Sequence, residues 1–189
     1  KDCTRFELHA PFGAHKIMIP ALGLHNVSNA LAAIAVAYDQ GLTLDDIRCG
    51  LLTYEGLAMR QQIHELDKIT VIDDSYNASP DSIKSGIGVL MAVKSTGKKI
   101  AVLADMLELG AYAAASGVDA VVTVGREAEK IAEGAVEESR KILVKACGTN
   151  DEAFAELEKI LNDGDSVLVK GSRGMHTDEI VQKLLTKYQ

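Results

Sequence analysis

From residue 69 onward, short apolar runs alternate with amphipathic stretches, and this alternation restricts the fold more than any other feature of the chain. The runs at 69–73, 100–104, 120–124, 142–146 and 166–170 are rich in Val, Ile and Leu. They read as strands that are apolar on both faces, as buried parallel strands are. A shorter strand is expected at 63–66. Helical spacing is expected over 80–94, 127–138, 150–161 and 175–187. Strands alternating with helices make βαβ units, and right-handed crossovers place helices on both faces of a mostly parallel sheet. The expected class is therefore α/β.

The first part of the chain reads differently. Residues 5–9 and 15–22 alternate polar and apolar (Phe6, Leu8; Ile17, Ile19), which predicts a hairpin with Pro11 and Gly13 in its turn. A helix is expected from Val27 to Gln40, capped by Asn26 and stopped by Gly41. Thr43 and Asp46 have capping-box spacing for a second helix ending near Leu52. Residues 53–62 read as a linker. The patterns on either side of this linker differ.

Composition excludes several classes. The 189 residues carry a formal charge of −7, which argues against a broad nucleic-acid footprint. No apolar run approaches the ~20 residues of a membrane span, and the first residues do not read as a signal peptide. Cys3, Cys49 and Cys147 lie far apart, and the five histidines show no metal-ligand spacing, so no metal site is expected. A reduced, cytoplasmic setting and a monomer are the plain expectations.

Ligands of open parallel sheets bind beyond the carboxyl ends of the strands. Three polar strings stand at such ends. In Asp73-Asp74-Ser75-Tyr76-Asn77-Ala78-Ser79-Pro80-Asp81, residues 79–81 are helix-start chemistry. That leaves the two aspartates and Asn77, whose placement beside an apolar strand has a desolvation cost. In Asp105-Met106-Leu107-Glu108-Leu109-Gly110, Asp105 and Glu108 suit a cation or a substrate, or else a plain capped loop. In Lys170-Gly171-Ser172-Arg173-Gly174-Met175, two cations flank glycines at a helix start, which suits a phosphate or carboxylate. Earlier, Asn26 and Asn29 stand one helical turn apart and can face one ligand. The only near miss to a phosphate loop, Lys94 to Lys99, lacks the first glycine, and no GxGxxG follows a strand. After Gly110, few residues remain for a helical crossover, which normally needs a dozen or more.

Taken in order, the strings Gly23-Leu24-His25-Asn26-Val27-Ser28-Asn29-Ala30, Met59-Arg60, Asp73 to Pro80, Asp105 to Gly110 and Lys170 to Met175 resemble the Mur ligase family from about residue 16 to the end. The Asp-Ser-Tyr-Asn and Lys-Gly-Ser-Arg strings resemble the member that adds D-alanyl-D-alanine to UDP-N-acetylmuramoyl-tripeptide with ATP and Mg2+. The resemblance implies a Rossmann-like C-terminal ligase domain at 57–189, preceded by the tail of a central ATPase domain at 1–56. It implies ATP contacts from Asn26, Asn29, Arg60, Asp74, Tyr76 and Asn77, and substrate contacts from Lys170, Ser172 and Arg173. The main catalytic residues, the phosphate loop and the Mg2+ ligands are implied to lie outside these residues, so this chain alone is expected to be inactive. Leu24 departs from an arginine common in the family. A longer segment with a histidine, usual after the string ending at Gly110, is absent here. Two other readings compete: a stand-alone, non-catalytic Rossmann-like binding module, and another ligase of the Mur or folylpolyglutamate type.

Overall fold

The computed structural model describes residues 3–104, 109–139 and 142–189. Its contacts divide the chain into two compact units, Lys1–Gly56 and Leu57–Gln189.

In the first unit, β1 (Thr4–Ala10) and β2 (Gly13–Ile19) form an antiparallel hairpin with Phe6 opposite Ile17. Gly13 has φ +119°, a turn geometry that other residues rarely adopt. Helix α1 (Leu24–Asp39) and helix α2 (Leu44–Leu52) cover the hairpin. Leu8, Ile17, Ile19, Ala30, Ile34 and Ile47 make the small core. Thr43 and Asp46 do form the expected capping box. Asn26 does not cap α1. The cap is Gly23 at φ +96°, and Asn26 lies inside the first turn with its Nδ2 donating to the Leu22 carbonyl at 2.8 Å. A glycine in a left-handed conformation let the helix begin earlier than the Asn signal suggests. Only Ala30 and Ile34 of α1 are buried, while Leu24, Leu31 and Val36 face solvent.

The second unit contains a six-stranded sheet. Its strands are β3 (Gln62–Glu65), β4 (Thr70–Asp74), β5 (Lys99–Ala104), β6 (Ala120–Val124), β7 (Leu143–Cys147) and β8 (Ser166–Lys170). Their order is β3-β4-β8-β5-β6-β7, and only β3 runs antiparallel. Helices α3 (Pro80–Ala92), α4 (Leu109–Ala115) and α5 (Ala128–Glu138) pack along one face. Helices α6 (Asn150–Ile160) and α7 (Asp178–Tyr188) pack on the other. The period of two divides each strand between the layers. Val167 and Val169 of β8 meet Ala153 and Leu157 of α6 and Ile180, Val181 and Leu184 of α7. Leu168 and Lys170 point the other way, toward Gly86 of α3. Burying each large side chain of α7 contributes about 1.5–3 kcal/mol.

Two strand and helix expectations need correction. Strand β7 is not apolar on both faces: it is the sheet edge, and Leu143 and Ala146 are exposed. The last helix starts at Asp178, after a short 3₁₀ turn over Arg173–Met175. The short crossover is met by a seven-residue helix, α4, that begins at Leu109 within the polar string. Gly110 makes this possible, because its α-carbon lies against the Ile131 carbonyl of α5 with no room for a methyl group.

Helix α3 has chemistry at both ends. Ser79 accepts from the Ser82 amide and Ser82 returns a bond to Ser79, with Pro80 at the first helical position. At the other end, Lys99 Nζ donates to the carbonyls of Leu90, Met91 and Val93 at 2.7–2.8 Å. A cation there suits the negative helix end, although burial lowers the pKa of this ammonium and nearby Asp119 only partly offsets it. Replacing Ser79 with alanine should lower unfolding stability by about 1 kcal/mol, read by urea denaturation.

Candidate functional site

Adjacent strands β4 and β8 send their chains to opposite faces of the sheet. After β4 the chain enters α3, and after β8 it enters α7. Such a divergence opens a crevice at the carboxyl ends of the strands, and the polar strings ending β4 and β8 stand there.

The centre is a buried ion pair. Lys170 Nζ donates to Asp74 Oδ2 at 2.7 Å and to the Asn77 carbonyl at 3.0 Å. The side chains are 1% and 9% exposed. Burial pushes the Asp74 carboxyl above its ordinary range, and the Lys170 ammonium and hydrogen bonds from Gln61 oppose the shift. Gly86 lets the pair lie under α3: a Cβ there would stand 3.1 Å from Asp74 Oδ2 and 3.4 Å from Lys170 Cδ. Asp73 has a separate task, because its Oδ1 accepts from the Ser75 amide and hydroxyl and turns the chain after the strand.

The segment before β3 closes the other side of this turn. It is more than a linker. Met59 and Gln61 adopt left-handed backbone conformations, φ +60° and +53°, on either side of Arg60. Such conformations are costly for non-glycine residues and persist where the surroundings enforce them. The enforcing contacts are visible. The Tyr76 amide donates to the Met59 carbonyl at 3.1 Å, and Gln61 Nε2 donates to Ser85 at 3.3 Å. Arg60 is thereby placed with its guanidinium carbon 4.4 Å from the centre of the Tyr76 ring. Arg173 reaches the same ring at 5.5 Å. Each cation–π contact at an exposed site is worth about 0.5–1 kcal/mol. The two guanidinium carbons lie at most about 9.9 Å apart, so their mutual repulsion in water is at least ~0.4 kcal/mol. Among the described residues neither arginine is in an ion pair.

The structure thus brings Arg60, Asp74, Tyr76, Asn77, Lys170 and Arg173 together, with Ser172 half-buried between the two cations in the chain. Asn77 and Arg173 are exposed, whereas Asp74 and Lys170 have turned inward. Asn26 and Asn29 belong to the first unit, where Asn29 is exposed. Asp105 and Glu108 lie outside the described residues. Gln61 and Gly86 were not singled out by the sequence reading. Their only signals were proximity to Arg60 and a small residue on the inner face of a helix.

The comparisons with known proteins bear on the fold that carries these residues. Residues 59–173 match the family described as Mur ligase, glutamate ligase domain. The chain belongs to the Mur ligase family. Among curated Mur ligases, it is 36% identical over 88% of its length to the UDP-N-acetylmuramoyl-tripeptide–D-alanyl-D-alanine ligase of Bacillus subtilis. It is 31% identical over 96% of its length to the Escherichia coli enzyme of the same name. It spans only 39% and 41% of those relatives. A solved D-alanyl-D-alanyl ligase from Acinetobacter baumannii superposes with a TM-score of 0.86 at 33% identity, covering 97% of this chain and 41% of that one. The sheet with one antiparallel edge and helices on both faces is thus a Mur ligase C-terminal fold. Among the described residues no helix is long and apolar enough to cross a membrane.

Proposed function

We propose that this chain works as part of an ATP-dependent ligase that joins D-alanyl-D-alanine to UDP-N-acetylmuramoyl-tripeptide in cytoplasmic peptidoglycan synthesis. The observation that carries this reading is the convergence of Arg60, Tyr76 and Arg173 above the Lys170–Asp74 pair, on a chain whose relatives bear that name. In the reaction, ATP phosphorylates the tripeptide carboxylate. The dipeptide amine attacks the acyl phosphate, and the tetrahedral intermediate collapses to the amide and inorganic phosphate, leaving ADP.

In this reading Tyr76 and Asn77 form the nucleotide edge and Arg60 reaches the phosphates, where a bidentate fork surpasses an ammonium. Asn26 and Asn29 serve the adenine side. Ser172 and Arg173 serve the acyl-phosphate or dipeptide end. Asp74 and Lys170 act as positioning residues, since their charges are spent on each other. Among the described residues no three His, Cys, Asp or Glu side chains cluster as a metal site. The reading leaves Mg2+ and the phosphate loop to other parts of the ligase. The exposed apolar side chains of α1, Leu24, Leu31 and Val36, support placing the first unit as the tail of a larger central domain.

The expected result is weak ATP binding and no ligase turnover by residues 1–189 alone. NMR titration with ATP should shift the amides of residues 74–77 with a millimolar midpoint. Micromolar affinity by calorimetry, or shifts confined to other residues, would count against the reading.

A further inference from the structure

Arg173 is exposed, yet its guanidinium carbon stands 5.5 Å from the centre of the Tyr76 ring. The turn that carries it borders open space. A Cβ at Gly174 would meet nothing within 4 Å. A cavity of about 260 Å³ is lined by Gly174 and Met175 of the turn and by Gly148 and Asp151 near the start of α6. The Met175 side chain packs on the core, but the backbone around it needs another support.

A side chain from α6 supplies it. Asn150, the first residue of that helix, donates from Nδ2 to the carbonyls of Met175 at 2.9 Å and His176 at 3.1 Å, and to Glu179 Oε2 at 3.2 Å. A reversed amide would set Oδ1 against three oxygens, so its orientation is fixed. The Met175 amide in turn donates to the Ser172 carbonyl at 2.9 Å, closing a loop with Arg173 inside it. His176 is left-handed at φ +49°, a conformation that a non-glycine residue keeps only under constraint. Helix α6 is a firm anchor, because Ala153 and Leu157 are fully buried and Thr149 caps it.

We propose that Asn150 is a positioning residue: by holding the Met175 and His176 carbonyls, it keeps the turn after β8 in the shape that seats Arg173 on Tyr76. The placement stands on this geometry. Its use, presenting Arg173 to the acyl-phosphate or dipeptide end, rests on the ligase reading.

The test is NMR of the 189-residue chain. An aromatic ring displaces the resonances of protons over its face, so the Arg173 side-chain protons should stand away from their free-arginine positions, and Tyr76→Leu should abolish that offset. Asn150→Ala removes the donor, and Asn150→Asp keeps the size but offers only acceptors. Each should lose most of the Arg173 offset. Arg60, which reaches the same ring from the segment before β3, should keep its own. Both variants retain the Thr149 cap and the buried residues of α6, so the chain should stay folded. The proposal is refuted if wild-type Arg173 shows no offset, if either variant keeps it, or if Arg60 loses its offset together with Arg173. In the full-length ligase, Asn150→Ala should lower kcat/KM about tenfold or more, but no more than about twofold on an Arg173→Ala background. Equal losses on both backgrounds would overturn the link to Arg173. A wild-type ligase that forms no product would overturn the ligase reading, while the spectra decide the placement independently.

Discussion

Replacing Lys170 with methionine should lower the unfolding free energy by about 3–5 kcal/mol near neutral pH, because it leaves the Asp74 carboxylate buried and unpaired. The loss should depend on pH in a defined direction. Burial raises the folded-state pKa of Asp74 above its ordinary value of 3.8, and Lys170 is the main opposing influence. Without Lys170 the folded-state pKa rises further. A carboxyl whose folded-state pKa is raised binds its proton more tightly when folded, so stability falls as pH rises from the unfolded value through the folded one. The destabilisation of Lys170→Met should therefore be small near pH 4 and grow toward neutrality. The double variant Asp74→Leu, Lys170→Met should recover most of it, since an apolar pair of similar volume avoids both desolvation costs. Urea unfolding across this pH range reads all three results. A loss that is equal at every pH would refute the buried-pair account.

The second large effect is expected at Gly171. A Cβ there would lie 2.6 Å from Thr177 Cγ2, 2.8 Å from Thr177 Oγ1 and 3.1 Å from Ala104 Cβ. Gly171→Ala should cost about 1–3 kcal/mol as an overpacked site. It should also displace Ser172 and Arg173, which follow directly. Thr177 is fully buried, and its hydroxyl has no hydrogen-bond partner among the described residues. Removing its Cγ2 and Oγ1 clears the two atoms that a Cβ at Gly171 would meet most closely. Thr177→Ala should restore most of the stability of Gly171→Ala, along with the ring-induced offset at Arg173. Thermal unfolding and the same NMR spectra report the two outcomes. Failure of Thr177→Ala to rescue would show that the glycine is required for another reason.

Much of this architecture was legible in the sequence, for a physical reason. Strands such as 100–104 and 120–124 are buried on both faces, so they read as short runs dominated by apolar residues and the pattern carries the assignment. The helix caps at Thr43 and Ser79 are local, so short-range chemistry sufficed there. What depended on distant partners was not legible. Lys170 reads as a ligand-facing cation beside two glycines, but it lies under α3, where Gly86 leaves space and Asp74 supplies the counter-charge. Arg60 reads as part of a linker, yet its geometry is set by Met59, Gln61 and a backbone bond from Tyr76, sixteen positions further on in the chain. Leu143 reads as core but stands on the sheet edge, because strand order is a property of the whole fold. The site residues were identifiable by type and position at strand ends. Which of them face a ligand, and which only hold the others, required the three-dimensional contacts.

The central claim is that this chain serves a ligase that adds D-alanyl-D-alanine. The most direct measurement is a ligase assay of the full-length protein with UDP-N-acetylmuramoyl-tripeptide and ATP, offering D-alanyl-D-alanine, meso-diaminopimelate or glutamate in turn. The account predicts inorganic phosphate release and a new peptide product with D-alanyl-D-alanine alone, strongly reduced by Arg60→Ala. Product with diaminopimelate or glutamate instead, or no ATP-dependent product with any of the three, would contradict it.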